Sequence, residues 1–114
     1  MAPPDKSPKL NPLQARTLTI LQEMASDPRT STRDEATGEV AITQFPHPHG
    51  DHFHVGGAVV MTANATGLTN EAVWTALERK GLARASYPYA IVLTPAGLAF
   101  DTGLAAKILH RAGH

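Results

Sequence analysis

Four histidines and an aspartate crowd into a short stretch near the middle of the chain. His47, His49, His52 and His54 lie close together, and Asp51 directly precedes the third of them. Neutral imidazole is the commonest nitrogen ligand of metals in proteins, and a carboxylate can add an oxygen ligand. The pattern is compatible with a zinc or nickel site. The alternative is a solvated loop whose histidines bind no metal.

The strands that would position these histidines can be read from alternation. Residues 39–45 and 52–55 alternate apolar with polar side chains, so both are predicted strands. If they pair as a hairpin, His52 and His54 share one face and His47 and His49 oppose them. Two such clips could hold a tetrahedral ion. Protonation of neighbouring imidazoles would instead make the hairpin sensitive to pH.

The order His47-x-His49-x-Asp51-His52 resembles the HxHxDH signature of the metallo-β-lactamase fold, in which these positions ligate two metal ions. That fold needs further ligands on later strands and a chain nearly twice as long as these 114 residues. No partnered serine, histidine and acid suggests a nucleophile, and no phosphate-binding loop is present. We therefore predict that the chain is not an enzyme and has no small-molecule substrate.

Length and composition limit the remaining classes. A chain of 114 residues fits one domain, predicted over residues 10–114, after a disordered arm at residues 1–9 that holds three prolines. Ten basic and ten acidic residues balance, so any polyanion must bind to a local patch. The chain has no cysteine and no long apolar run, from which we expect a cytoplasmic protein without a membrane partner.

Capping signals predict the helices. Asn11 and Pro12 open a first helix that should end near residue 25, and polar residues 29–38 should form a surface loop. Residues 58–65 favour a helix, with a strand as the rival because Val59 and Val60 are β-branched.

The second half of the chain is better marked. Thr69 caps a predicted helix over residues 69–80, and Gly81 ends it. Strands at 82–85 and 90–93 should then form a hairpin. Thr94 and Pro95 open a last helix over 95–111, whose apolar residues span an arc too broad for one small core. We therefore expect a homodimer through this C-terminal helix.

The run from Ala63 to Thr69, the helix end at Gly81-Leu82 and the start Leu93-Thr94-Pro95 resemble the winged helix-turn-helix family, especially small MarR-like bacterial regulators. The resemblance implies an α+β winged helix-turn-helix fold, here with an inserted His-bearing β-hairpin and a C-terminal helix. It also implies a DNA-binding transcription regulator, with its recognition helix at 69–80 and its wing at 82–93. Separately, we expect no cofactor, with zinc at the histidines as the alternative.

Polar residues of this helix and wing are the expected DNA contacts: Asn70, Thr75, Arg79, Lys80 and Arg84. The helix also carries Glu71 and Glu78, and carboxylates repel a phosphate lattice. The alternative is a winged helix used for protein association through aromatic residues, namely Trp74, Tyr87 and Tyr89.

Overall fold

The computed structural model describes residues 8–111, so most of the arm predicted at 1–9 lies outside the described residues. The described chain is an α+β domain of four helices and two antiparallel sheets. None of these helices has the length and apolar character needed to cross a membrane.

Helix α1, Pro12–Ala25, lies at the centre of the packing and confirms the first predicted helix. Its start is a capping box, in which Asn11 Oδ1 accepts the Gln14 N–H at 2.8 Å and Gln14 Oε1 accepts the Asn11 N–H at 3.1 Å. Leu18 and Leu21 on its inner side are fully buried. Both sheets and two of the later helices pack against this helix.

The first sheet has four strands: β1 Ser31–Arg33, β2 Val40–Ile42, β5 Ala83–Ser86 and β6 Ala90–Leu93. Their order is β1-β2-β6-β5, with Val40 opposite Leu93 and Ile42 opposite Ile91. The loop predicted at 29–38 is therefore wrong over β1. This edge strand is polar and carries no alternation that would reveal it, because none of its three residues is fully buried.

The second sheet contains β3 His52–Val55, β4 Ala58–Met61 and β7 His110–Arg111, in the order β3-β4-β7. The predicted pairing of 39–45 with 52–55 is wrong, because β2 pairs with β1 and β6 instead. Strand β3 turns back at Gly56-Gly57 onto β4, with φ of +56° at Gly56.

The helix predicted at 58–65 is also wrong. Its first half is β4, as the β-branched Val59 and Val60 favour. Two 3₁₀ turns follow, Thr62–Asn64 and Thr66–Thr69.

Helix α2, Glu71–Arg79, confirms the better-marked helix with one change at its start. Asn70 is the N-cap in place of the predicted Thr69, and its Oδ1 accepts the Ala72 N–H at 3.0 Å. The helix ends as predicted at Gly81, where φ is +77° and the Leu82 N–H donates to the Leu77 carbonyl at 3.0 Å. Strands β5 and β6 then form the expected hairpin.

The single C-terminal helix predicted over 95–111 is wrong. The chain forms α3, Pro95–Ala99, then α4, Ala105–Ile108, and then β7. Between the two helices Asp101 Oδ1 accepts the Gly103 N–H at 2.9 Å, and Gly103 has φ of +72°. Ile108 and Leu109 are buried within the domain. The continuous helix on which the dimer prediction depends is therefore absent from residues 95–111.

Candidate nucleic-acid interface

Helix α2 buries one side and leaves the other in solvent. Val73, Trp74, Ala76 and Leu77 face the core. The exposed side carries five residues, which we call the α2 outer face: Glu71, Ala72, Thr75, Glu78 and Arg79. Glu71 in the first turn and Arg79 in the last turn both interact favourably with the helix dipole. The charge pattern of this face therefore supports the helix itself.

The hairpin of β5 and β6 is attached to α2 near both ends of the helix. The Tyr87 hydroxyl donates to the Thr69 carbonyl at 2.8 Å, just before α2 begins. Glu78 Oε1 in the last turn accepts the Ala85 N–H of β5 at 3.1 Å. Two hydrogen bonds and the packing between them therefore hold the helix and the hairpin as one unit.

Aromatic packing fills the space between helix and hairpin. The Trp74 and Tyr87 rings meet edge to face with centroids 4.8 Å apart, and Phe45 lies 5.5 Å from Trp74 on another side. Trp74 is 1% exposed, so its prediction as a protein-contacting residue is wrong. Of the three predicted aromatic contacts Tyr87 is half-buried, and Tyr89 at the hairpin tip is 80% exposed.

The five predicted DNA contacts differ in their surroundings. The Asn70 side chain caps α2, and Lys80 Nζ donates to the Lys9 carbonyl at 2.7 Å. Arg84 Nη2 donates to Glu39 Oε1 at 2.5 Å, across β6, so its charge is already compensated. Thr75 and Arg79 are exposed, and their side chains form no hydrogen bond or ion pair with the described residues.

The bond from Glu78 to β5 was not foreseen from the sequence. From the sequence alone, Glu78 adds a second negative charge beside Glu71 on the outer face, and these charges oppose phosphate binding. No local signal reports that it would find an unpaired N–H on a later strand.

The histidine stretch brings three of its four imidazoles together. A tight turn pairs His49 with His52, where the His49 N–H donates to the His52 carbonyl at 2.7 Å. The ring centroids of His52 and His54 are 5.0 Å apart, and His49 lies 5.2 Å from His54 and 6.2 Å from His52. His47 is exposed and makes no such ring contact with the described residues.

The two opposed histidine clips are wrong, because Met61 and Val59 lie opposite His52 and His54 on β4. In their present rotamers no three His, Asp or Glu side chains between residues 8 and 111 converge as a metal site. Gly50-Asp51 is the sequence signal for the turn, since glycine at the first central position favours a two-residue hairpin loop.

Two ion pairs that do not involve the α2 outer face lower the pKa values of their carboxyl groups. Hydrogen bonds from Arg111 lower the pKa of Glu23, against the opposing effect of burial. The same kind of contact from Arg29 lowers the pKa of Asp27. The first pair joins α1 to β7, and the second closes the turn after α1. Both pairs therefore join segments of the fold to each other.

Comparison with known proteins gives no matching family model, no matching curated protein and no matching solved structure. The function is therefore inferred from the geometry of this chain.

Proposed function

We propose that the chain is a DNA-binding winged-helix protein, with α2 as its recognition helix and the β5–β6 hairpin as its wing. The order of elements supports the proposal. Strand β2 precedes α2 in the chain and pairs with β6, the second strand of the hairpin. Helix α1 packs against both β2 and β6. A helix followed directly by such a hairpin is typical of a winged helix. The two 3₁₀ turns before α2 stand where a helix-turn-helix has its first helix.

The attachment of the wing to α2 is the observation that carries the proposal. The bonds Tyr87 to Thr69 and Glu78 to Ala85 fix the wing tip relative to the α2 outer face. A binding surface that is already held in one conformation loses less conformational entropy on binding than a mobile one. The backbone positions of Thr75, Arg79 and Tyr89 are therefore held in a constant arrangement relative to one another.

The size of α2 suits a major groove. With its side chains an α-helix such as this nine-residue one is about 10–12 Å across. The groove of B-DNA is about 12 Å wide and admits one α-helix. Thr75 in the middle of the helix is placed to meet a base edge, and its hydroxyl can donate or accept.

Phosphate contacts come from the basic end of the helix. Arg79 is exposed there and Lys80 follows it, and the bond from Lys80 Nζ to the Lys9 carbonyl brings the backbone of a third basic residue to the same end. Arg84 remains paired with Glu39, and Asn70 serves as the cap, so neither is retained as a primary contact. Three cations make a small footprint, from which we expect moderate affinity with a shallow dependence on salt.

Protein association is the second candidate, and the exposed wing tip favours it. Tyr89 is the most exposed large apolar side chain of the described residues, and tyrosine is enriched in protein interfaces. A protein partner at the tip would depend on Tyr89 and little on Arg79. DNA binding would depend on both, with the larger salt effect at Arg79.

Fluorescence anisotropy of a labelled random-sequence duplex of about 24 base pairs tests the proposal across a salt series. We expect wild-type binding whose logarithmic salt slope falls by about 1 in Arg79→Ala, since each phosphate contact contributes about 0.9. Arg33→Ala is the matched control, because Arg33 is an exposed arginine on β1, at the opposite edge of the sheet from β5. Absence of binding at low salt, or equal losses in the two variants, would overturn the proposal.

A further inference from the structure

The backbone around residues 49–55 places three imidazoles on one surface. Gly50, with φ of +67°, lets the chain reverse so that His49 and His52 form an isolated antiparallel bridge. Along β3, His52 and His54 lie two residues apart and so project from the same face. Turn and strand therefore fix the Cα positions of all three histidines, independently of their ring rotamers.

The spacing of the rings matches that of ligands around a single ion. With a zinc–nitrogen bond of about 2.0–2.1 Å, an imidazole centroid lies about 3 Å from the metal, and two such centroids on a tetrahedral ion lie roughly 5 Å apart. The observed separations are 5.0, 5.2 and 6.2 Å. Two of these separations match the expected value, and the third, between His49 and His52, exceeds it by about 1 Å.

Asp51 adds the feature that orients a metal-binding histidine. Its Oδ1 lies 3.3 Å from His52 Nδ1. A carboxylate oxygen can only accept, so this bond places the proton on Nδ1 and leaves the Nε2 lone pair available to a metal. Metal-binding histidines commonly donate their second ring N–H to a carboxylate in this way.

We propose that His49, His52 and His54 bind one divalent zinc-class ion, with Asp51 as a positioning residue and water as the fourth ligand. The present rotamers do not converge, so binding requires ring rotation about χ2. That torsion is broad for histidine, and His49 and His54 are exposed, so rotation meets little resistance. Imidazole ligands select zinc, copper or nickel over magnesium and calcium. The site lies on β3 and the turn before it, and it shares no residue with the α2 outer face.

Calorimetric titration of the full chain with zinc chloride tests this site. We expect one equivalent to bind, with at least a tenfold loss of affinity in His52→Ala and in His54→Ala. Asp51→Asn keeps the size of the side chain but removes its charge, and it should weaken binding about ten- to a hundredfold. His47→Ala is the matched control from the same segment, and its affinity should stay within twofold of wild type.

Two results would overturn the proposal. The first is a loss of zinc affinity in His47→Ala equal to that in His54→Ala, which would mean that zinc binds unspecifically to a solvated histidine loop. The second is the absence of wild-type binding at millimolar zinc. Nitrogen-15 shifts of the His52 ring test Asp51 separately. Zinc on Nε2 with a protonated Nδ1 agrees with its positioning role, whereas zinc on Nδ1 contradicts it. The substituted side chains lie at the surface or its margin, and circular dichroism would verify that each variant stays folded.

Discussion

Replacing Gly97 by alanine should destabilise the domain more than an ordinary surface change. An ideal Cβ at this position would lie 2.0 Å from the Leu82 carbonyl oxygen and 2.9 Å from its carbon. Carbon and oxygen approach no closer than about 3.3 Å even in weak C–H···O contacts. Because the obstructing atoms are backbone, α3 and the chain after α2 must separate by about 1 Å or more.

The separation also disturbs a hydrogen bond. The same Leu82 carbonyl accepts the Thr94 N–H at 3.1 Å where α3 begins. Overpacking costs about 1–3 kcal/mol, and one net hydrogen bond about 1 kcal/mol. We therefore expect Gly97→Ala to lower the free energy of unfolding by about 2–4 kcal/mol.

Urea unfolding followed by the fluorescence of Trp74, the only tryptophan of the chain, measures this loss. Gly57→Ala is the matched control, because Gly57 also lacks a positive φ and its Cβ would meet only Arg111 Nη1 at 3.6 Å. The control should stay within about 0.5 kcal/mol of wild type. If Gly97→Ala does the same, the close approach of α3 to Leu82 is refuted.

Three further substitutions test other contacts. Arg111 lowers the pKa of Glu23, so the folded state binds fewer protons than the unfolded state. Glu23→Gln should therefore lower the free energy of unfolding by about 1–2 kcal/mol at neutral pH, and this loss should shrink as the pH falls through the lowered pKa of Glu23. Urea unfolding of wild type and variant at neutral and at acidic pH measures it, and a difference that does not change with pH would contradict the prediction. Asn70→Ala should cost about 1 kcal/mol by loss of the cap and leave the affinity for DNA unchanged; because this side chain carries no charge, a loss of affinity at constant salt slope would restore Asn70 as a contact. Tyr87→Phe should cost about 0.5–1.5 kcal/mol and speed amide exchange in β5, and unchanged exchange would argue against attachment of the wing to Thr69.

Short-range signals predicted the elements that depend on local chemistry. Asn11-Pro12 and Thr94-Pro95 mark helix starts because a cap and a first-turn proline act within a few residues. Gly81 marks the end of α2 because only glycine adopts its φ of +77° without strain.

Long-range choices could not be predicted in the same way. Alternation in 52–55 shows which side chains share a face, but it does not choose the partner strand, and β3 paired with β4. Apolar spacing over 95–111 suits a helix, yet the turn at Asp101 and Gly103 divides it. The sequence alone leaves Trp74 as a residue for protein association, and only the fold brings Phe45 against it.

The residues of the candidate interface also differ in whether local sequence signals could predict their surroundings. The outward direction of Thr75 and Arg79 follows from helical periodicity alone. Compensation of Arg84 by Glu39 does not, because the two residues are 45 positions apart and meet across a sheet. Clustering of the histidines was visible in sequence, whereas the exclusion of His47 from the ring cluster required the turn geometry.

The most direct measurement is an NMR titration of the labelled protein with a random-sequence duplex, followed by mapping of the backbone amide shifts. The proposed winged helix predicts that the largest shifts fall on residues 70–80 and at the wing tip around Tyr89, and that they diminish as salt is raised. Shifts confined to the second sheet and the histidine turn, or no shifts at low salt, would contradict α2 as the recognition helix.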